Sequence, residues 1–374
     1  MKLCVPCLFG LEGLAADELR YMGMSGVEAE TGRVLFDGGF EELARANLRL
    51  RTGERVQILM GEFPAGDFDA LFEGVYALPW ESIIPRDGAF PVKGHSLNST
   101  LHSVPTCQGM IKKAVVRRLS AKYGMAQFPE TGGKYQIRFS IINDTASIYL
   151  DTSGAALHKR GYRPNANLAP LRETLAAAMV KLARFKGRDI FCDPFCGSGT
   201  IAIEAALAAM NRAPGIGRRF AAESWSCIDK KIWRDEREAA RDGEYHGDYR
   251  IFASDIDPAC IDIARENAKR AGVDGIIHFS CADALRFTPP AEGRGIIMAN
   301  PPYGERLLDV RQAEELYRSL GRMWKKLDDW SFYILTSDLD FEKCFGRRAD
   351  KRRKVYNGMI QCQLYMYKET AKRG

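Results

Sequence analysis

Long apolar runs are missing: no stretch approaches the roughly 18 uncharged apolar residues that a membrane span needs. The start, Met1 to Pro6, lacks the layout of a cleaved signal, so the sequence predicts a cytoplasmic protein with no membrane partner. Histidine is scarce, and His95, His102, His158, His246 and His278 do not cluster at ligand spacing. Cys4 and Cys7 form the only C-x-x-C, without the second pair of ligands that zinc requires; they read as strand residues, and no metal is expected. The 10 cysteines are scattered, which suits a reducing compartment. No G-x-x-x-x-G-K-[ST] occurs, which argues against a nucleotide triphosphatase. Repeats and low-complexity segments are also lacking. What remains is a chain of 374 residues, 46% hydrophobic, enough for two or three packed domains, with a net charge of +6 that permits a nucleic-acid partner without requiring one.

Chemistry is concentrated in the second half. Asp189 to Asp193 reads as a short strand, Pro194-Phe195-Cys196-Gly197-Ser198-Gly199-Thr200 as a tight turn, and Ile201 to Met210 as a buried helix. Glycines let backbone approach a ligand closely. A dinucleotide site would present its helix N-terminus to a pyrophosphate, and Asp193 at the mouth would repel that group. S-adenosylmethionine carries an ammonium that Asp193 can attract and a carboxylate that the turn's backbone amides can bind. The next strand, Tyr249 to Ser254, ends in Asp255-Ile256-Asp257-Pro258. Asp255 is placed to accept both ribose hydroxyls, while Asp257 reads as the cap of a helix opened by Pro258. After a further strand, Gly275 to Ser280, comes Asp283-Ala284. There Asp283 either accepts from the adenine amine or is a plain loop carboxylate.

A third site follows the apolar run Gly295 to Ala299, which reads as a buried strand running into Asn300-Pro301-Pro302-Tyr303. The amine on a nucleobase is a poor nucleophile and needs acceptors for both hydrogens. The Asn300 side-chain oxygen and the Pro301 carbonyl can supply them. Consecutive prolines fix φ and remove backbone donors, and Tyr303 offers a ring on which a base can stack. A proline turn after a core strand is the plain alternative.

In this order, DPFCGSGT, SDID, ADA and NPPYGER resemble the amino-methylating branch of the class I S-adenosylmethionine-dependent methyltransferases. The stretch Leu150 to Arg163, followed by Ala169 to Ala178, sharpens the likeness to the THUMP-containing rRNA methyltransferases of the RlmL type, guanine-N2 enzymes of the large subunit. The resemblance covers essentially the whole chain. It implies an α/β fold in which a Rossmann-like class I methyltransferase domain, with a mostly parallel seven-stranded sheet, is preceded by α+β ferredoxin-like and THUMP domains. The implied division is residues 1–60 ferredoxin-like, 61–160 THUMP, 161–185 linker and leading helix, and 186–374 catalytic, with 211–249 as an insertion. It also implies that the start of the leading helix, at Arg172 and Glu173, lines the cofactor pocket. Relatives fused to a second methyltransferase are about twice as long; with the sequence ending at Gly374, one activity is expected.

Positive charge clusters at Lys93, at Lys112, Lys113, Arg117 and Arg118 on a helix from about Thr106 to Tyr123, at Lys159, Arg160 and Arg163, and from Arg347 to Lys354. Such runs are commonly solvated faces; beside a base-amine site they read as phosphate contacts. The expected partner is large-subunit rRNA or its assembly precursor, with no obligate protein partner. The expected reaction is direct methyl transfer to an extruded guanine, without a cysteine nucleophile. Two other readings remain: adenine-N6 methylation, and a non-catalytic RNA-binding or assembly factor.

Overall fold

The structure, a computed structural model, describes residues 1–163, 171–290, 292–302, 310–327 and 329–368. It forms two units that do not follow chain order. One holds Met1–Cys7, Ala15–Leu157 and Arg218–Ala239; the other holds Leu8–Leu14, His158–Gly217 and Ala240–Gly374.

The first unit's elements are β1 (Lys2–Pro6), α1 (Glu12–Tyr21), β2 (Ser25–Glu30), β3 (Arg33–Asp37), α2 (Phe40–Arg49), β4 (Gln57–Pro64), α3 (Phe68–Ala77), β5 (Val92–Leu97), α4 (Val104–Tyr123), β6 (Gln136–Ile142) and β7 (Thr145–Asp151). The first residues of α1 belong to the second unit. The sheet runs β2-β3-β1-β4-β7-β6-β5, antiparallel except for β5 beside β6. Asn143 and Asp144, both at positive φ, make the two-residue turn joining β6 to β7, whose twist suits a hairpin. The basic helix α4 begins two residues before its expected start, with Pro105 in its first turn, and ends on Gly124 in the left-handed region. Its apolar face, Cys107, Ile111, Ala114, Val115 and Leu119, is buried in the unit's core with Trp80 and Phe90.

The second unit contains α5 (Glu173–Leu182), β8 (Ile190–Asp193) and α6 (Thr200–Ala209). After α7 (Lys230–Asp242), which starts in the first unit, come β9 (Arg250–Asp255), α8 (Pro258–Ala271), β10 (Ile277–Cys281), β11 (Gly295–Ala299) and α9 (Val310–Trp324). The chain then forms β12 (Trp330–Thr336), α10 (Phe341–Phe345), β13 (Lys351–Asn357) and β14 (Ile360–Tyr367). The sheet order is β10-β9-β8-β11-β12-β14-β13, with β10 to β12 parallel and β14 and β13 antiparallel. Because both faces are covered, the central parallel strands β8, β11 and β12 are buried and mostly apolar: in β8, Phe191 enters one core, Ile190 and Cys192 the other. This is the class I methyltransferase sheet. The order reverses between β8 and β11, and ligands of such sheets bind beyond the carboxyl ends at that point.

Two features depart from the linear division. Leu11 is fully buried in the second unit's core. The insertion's residues 218–239 belong to the first unit, where Trp225 stacks on Tyr135 at 4.8 Å, its Nε1 donates to the Lys134 carbonyl, and Glu236 pairs with Arg45 at 2.8 Å. Of the linker expected to begin at residue 161, positions 164–170 lie outside the described residues. Among the described residues no helix is long and apolar enough to cross a membrane, and no group of histidine, cysteine and acidic side chains could hold a metal. Cys4 lies in β1 and Cys7 in an isolated bridge to Gly53, both buried and unbridged.

Candidate active site

Asp193 ends β8 at only 1% exposure. One carboxylate oxygen receives a long hydrogen bond from the Phe195 N–H at 3.4 Å, while Oδ2 is buried with no partner among the described residues. Burial pushes this acid from 3.8 up to about 8; the Phe195 N–H pulls it down and the neighbouring Asp255 charge pushes it further up. An isolated carboxylate at such a position is stabilised by an incoming cation.

The turn after β8 is held in one shape. Gly197 and Gly199 have φ of 50° and 82°, and a Cβ on Gly199 would stand 3.0 Å from that of Ala264. Cys196 N–H donates to the Ser254 carbonyl at 2.9 Å, Asn267 Nδ2 to the Ser198 carbonyl at 2.9 Å, and Gly197 N–H to Asp255 Oδ2 at 2.9 Å. The other oxygen of Asp255 receives the Asp257 N–H at 3.1 Å. Asp255 is thus fixed by two backbone donors and retains lone pairs for ligand hydroxyls. Asp257 caps α8, accepting from Ala259 N–H at 2.9 Å, with Pro258 in the first turn, as expected from the sequence. The Cys196 thiol is buried and its pKa is raised by burial and by Asp193, which leaves it without thiolate character.

A cavity of about 440 Å³ opens at the carboxyl ends of β8, β9 and β10, lined by Asp193, Pro194, Ser254, Ala282, Asp283, Ala284 and Phe287 among others. Asp283 stands on its wall and also accepts from Leu285 N–H at 2.9 Å, capping the single turn Ala284–Arg286. Ile256, at the β9 end, is 71% exposed. On the other side of β8, β11 pairs Ile297 with Cys192, so Asn300 follows at the same edge of the sheet as Asp193. Its Oδ1 is buried and has no hydrogen-bond partner among the described residues; Pro301 is buried and Pro302 half-buried. Tyr303 lies outside the described residues. Two orphaned acceptors, Asp193 Oδ2 and Asn300 Oδ1, therefore end adjacent strands. Such atoms cost free energy until a ligand supplies donors.

The model of the RMKL-like methyltransferase domain matches residues 160–366 of this chain. The chain belongs to the RMKL-like methyltransferase family. Ahead of that domain, residues 2–57 match the RlmL ferredoxin-like domain and 65–151 the THUMP domain. The "Putative RNA methyltransferase YpsC" of Bacillus subtilis is 45% identical over 96% of this chain and 93% of its own. A "Ribosomal RNA large subunit methyltransferase K/L" of Psychromonas ingrahamii is 36% identical over 99% of this chain; the chain spans about half, 50%, of that relative. Among solved structures, SMU.472, described as a putative methyltransferase complexed with SAH, is 40% identical with a TM-score of 0.94, covering 100% and 99% of the two chains. A Listeria monocytogenes structure described as a "predicted N6-adenine-specific DNA methylase" is 43% identical with a TM-score of 0.93, covering 98% and 95%. S-adenosylmethionine is the cofactor of this class of methyltransferase, and the lone Asp193 carboxylate oxygen fits its ammonium.

In this RMKL-like methyltransferase Arg160 and Arg163 of the basic run do not face solvent, which corrects their expected role in gripping RNA. Arg160 is buried and pairs at 3.3 Å with Glu204 of α6, which also accepts from the Tyr162 hydroxyl at 3.2 Å. Arg163 reaches Glu173 at 2.8 Å, the Leu171 carbonyl at 3.1 Å and the Thr200 hydroxyl at 3.0 Å, tying the start of α5 to the end of the glycine turn. A guanidinium so enclosed has no phosphate to meet. Sequence reasoning missed Glu204, whose signal was a single acid inside the apolar helix TIAIEAALAA. Lys112 is also committed, its ammonium 2.5 Å from Glu130 and 3.6 Å above the Phe90 ring centre. Lys93, Lys113, Arg117 and Lys159 are exposed.

Proposed function

We propose that this chain methylates the exocyclic N2 amine of a guanine in large-subunit ribosomal RNA. The unpartnered Asn300 oxygen beside the cofactor's strand end carries the reading, since it is an acceptor waiting for a donor at the place where an amine would react. Asn300 Oδ1 and the Pro301 carbonyl take the two amine hydrogens, turning the nitrogen lone pair toward the methyl group, which is catalysis by positioning. S-adenosylmethionine supplies a methyl on a sulfonium, with a neutral thioether as leaving group. Asp193 holds the cofactor's ammonium, the turn Pro194 to Thr200 its carboxylate, Asp255 its ribose hydroxyls, and Ile256, Asp283 and Ala284 its adenine. The amine becomes acidic once methylated, so water suffices to remove the proton. Neither a strong base nor a cysteine adduct is needed.

The matched THUMP domain and the K/L relative, named for the large ribosomal subunit, support RNA as substrate. Lys93, Lys113 and Arg117 in the first unit and Lys159 in the second take phosphates, which fix register but read no sequence. The test is nucleoside mass spectrometry after reaction of the chain with labelled cofactor and undermethylated large-subunit rRNA. Label in N2-methylguanosine is the expected result. Label in N6-methyladenosine or only in DNA, the substrate named for the Listeria structure, would overturn the guanine assignment. No transfer to any nucleic acid, despite cofactor binding, would leave an RNA-binding factor.

A further inference from the structure

The β13–β14 hairpin carries an apolar tip that the reaction as described does not use. Asn357 pairs with Ile360 across a two-residue loop, Gly358 at φ 65° and then Met359, which is 98% exposed; Ile360 is 42% exposed. The hairpin beneath is rigidly anchored. Val355, Cys362 and Leu364 are buried in the core, Arg353 Nη1 donates to the Gly10 carbonyl at 3.0 Å, and Asn357 Oδ1 accepts from the Arg172 N–H at 3.3 Å, at the entry to α5. Register fixes where the tip points. Gln363 pairs with Thr336 at the carboxyl end of β12, one residue past the level of Asn300 and three past that of Asp193, so Ile360 lies about four residues, ~13 Å at the rise of a strand, beyond Asn300 and about six, ~20 Å, beyond Asp193. From β11 to β14 is two strand spacings, again about 10 Å. On one face of β13, Arg352, Lys354 and Tyr356 lead toward the tip, with the Lys354 ammonium 5.5 Å from the Tyr356 ring centre.

Exposed lysines and arginines on an edge strand serve to prevent edge pairing, and alone they imply no ligand. A fully exposed methionine on a braced turn, beside a site that must receive a base taken out of its stack, has a different use. We propose that Met359 is a positioning residue that enters the RNA stack in place of the extruded nucleotide, with Lys354 holding a flanking phosphate. The proposal rests on the reading of the chain as an RNA methyltransferase, though not on which base it modifies. Methionine is an unbranched, polarizable apolar side chain of the kind inserted between base steps, and filling the gap offsets the cost of unstacking.

The test is single-turnover methyl transfer to undermethylated large-subunit rRNA by the full chain, first locating the wild-type product. A second RNA then carries the same nucleotide with its pairing partner removed. Met359→Ala should slow transfer to the paired RNA by about tenfold or more, recover to within about twofold of wild type on the unpaired RNA, and leave cofactor affinity unchanged. Met359→Phe, which keeps a wedge, should retain activity on both. Equal rates for wild type and Met359→Ala on paired RNA, equal loss on both RNAs, or a change of oligomeric state in place of the rate effect would overturn the proposal. A wild-type product other than N2-methylguanosine would correct the base assignment alone, and absence of any transfer from wild type to rRNA would overturn both.

Discussion

In Asp193→Asn the buried acid keeps its shape and loses its charge, and two opposite consequences follow. The wild-type carboxyl rises from 3.8 to about 8 on folding, mainly through burial. A carboxyl whose folded pKa lies above its unfolded one contributes stability fully below pH 3.8 and loses it as pH rises through about 8. The shift corresponds to a cost on the order of 5 kcal/mol once the group is ionised. Without cofactor, Asp193→Asn should therefore be more stable than wild type at pH 8, the margin shrinking toward pH 5. Cofactor binding behaves in the opposite way. The ammonium requires the carboxylate form, so wild-type affinity should fall roughly tenfold per unit below pH 8, and fall again above it as the ligand's own amine, with a pKa of about 8, loses its proton. At the optimum Asp193→Asn should bind about 1.5–3 kcal/mol more weakly and lack the acid limb. Calorimetry from pH 6 to 9, with thermal unfolding of the ligand-free proteins, measures both. Wild-type affinity that is flat between pH 6 and 8, or an asparagine variant that binds normally, would refute the assignment of Asp193 to the ammonium.

Asn300→Ala should leave cofactor affinity nearly unchanged and slow methyl transfer by about a hundredfold, measured in single turnover; normal turnover would remove Asn300 from the reaction. Arg160→Ala strands Glu204 in the core and should cost about 3–5 kcal/mol by urea unfolding. Pairing Arg160→Leu with Glu204→Leu should restore stability and keep wild-type RNA affinity, whereas a folded double variant that loses RNA would return Arg160 to the interface. Reversing both exposed charges with Lys113→Glu and Arg117→Glu should weaken RNA binding and reduce the slope of log K against log salt by about 1.5, with cofactor affinity untouched. An unchanged slope would place the phosphates elsewhere.

Local pattern alone located the strand, turn and helix around Asp193, the cap at Asp257 with Pro258, and the strand running into Asn300. Each depends on neighbours a few residues apart: apolar runs, glycines where φ is positive, proline in a first turn. The same pattern gave no depth for charge. His158 to Arg163 has the composition of an RNA-gripping surface, and only the packing of α6, with Glu204 inside its apolar face, turned Arg160 and Arg163 inward. Nor did chain order reveal that residues 218–239 belong with the first unit. Strand order decided the site itself. By placing β8 between β9 and β11, the tertiary fold brings Asp193, Asp255 and Asn300, far apart in sequence, to one edge. Burial there strips Asp193 Oδ2 and Asn300 Oδ1 of partners, and desolvation, a property of the surrounding volume and not of the residue type, raises the Asp193 pKa.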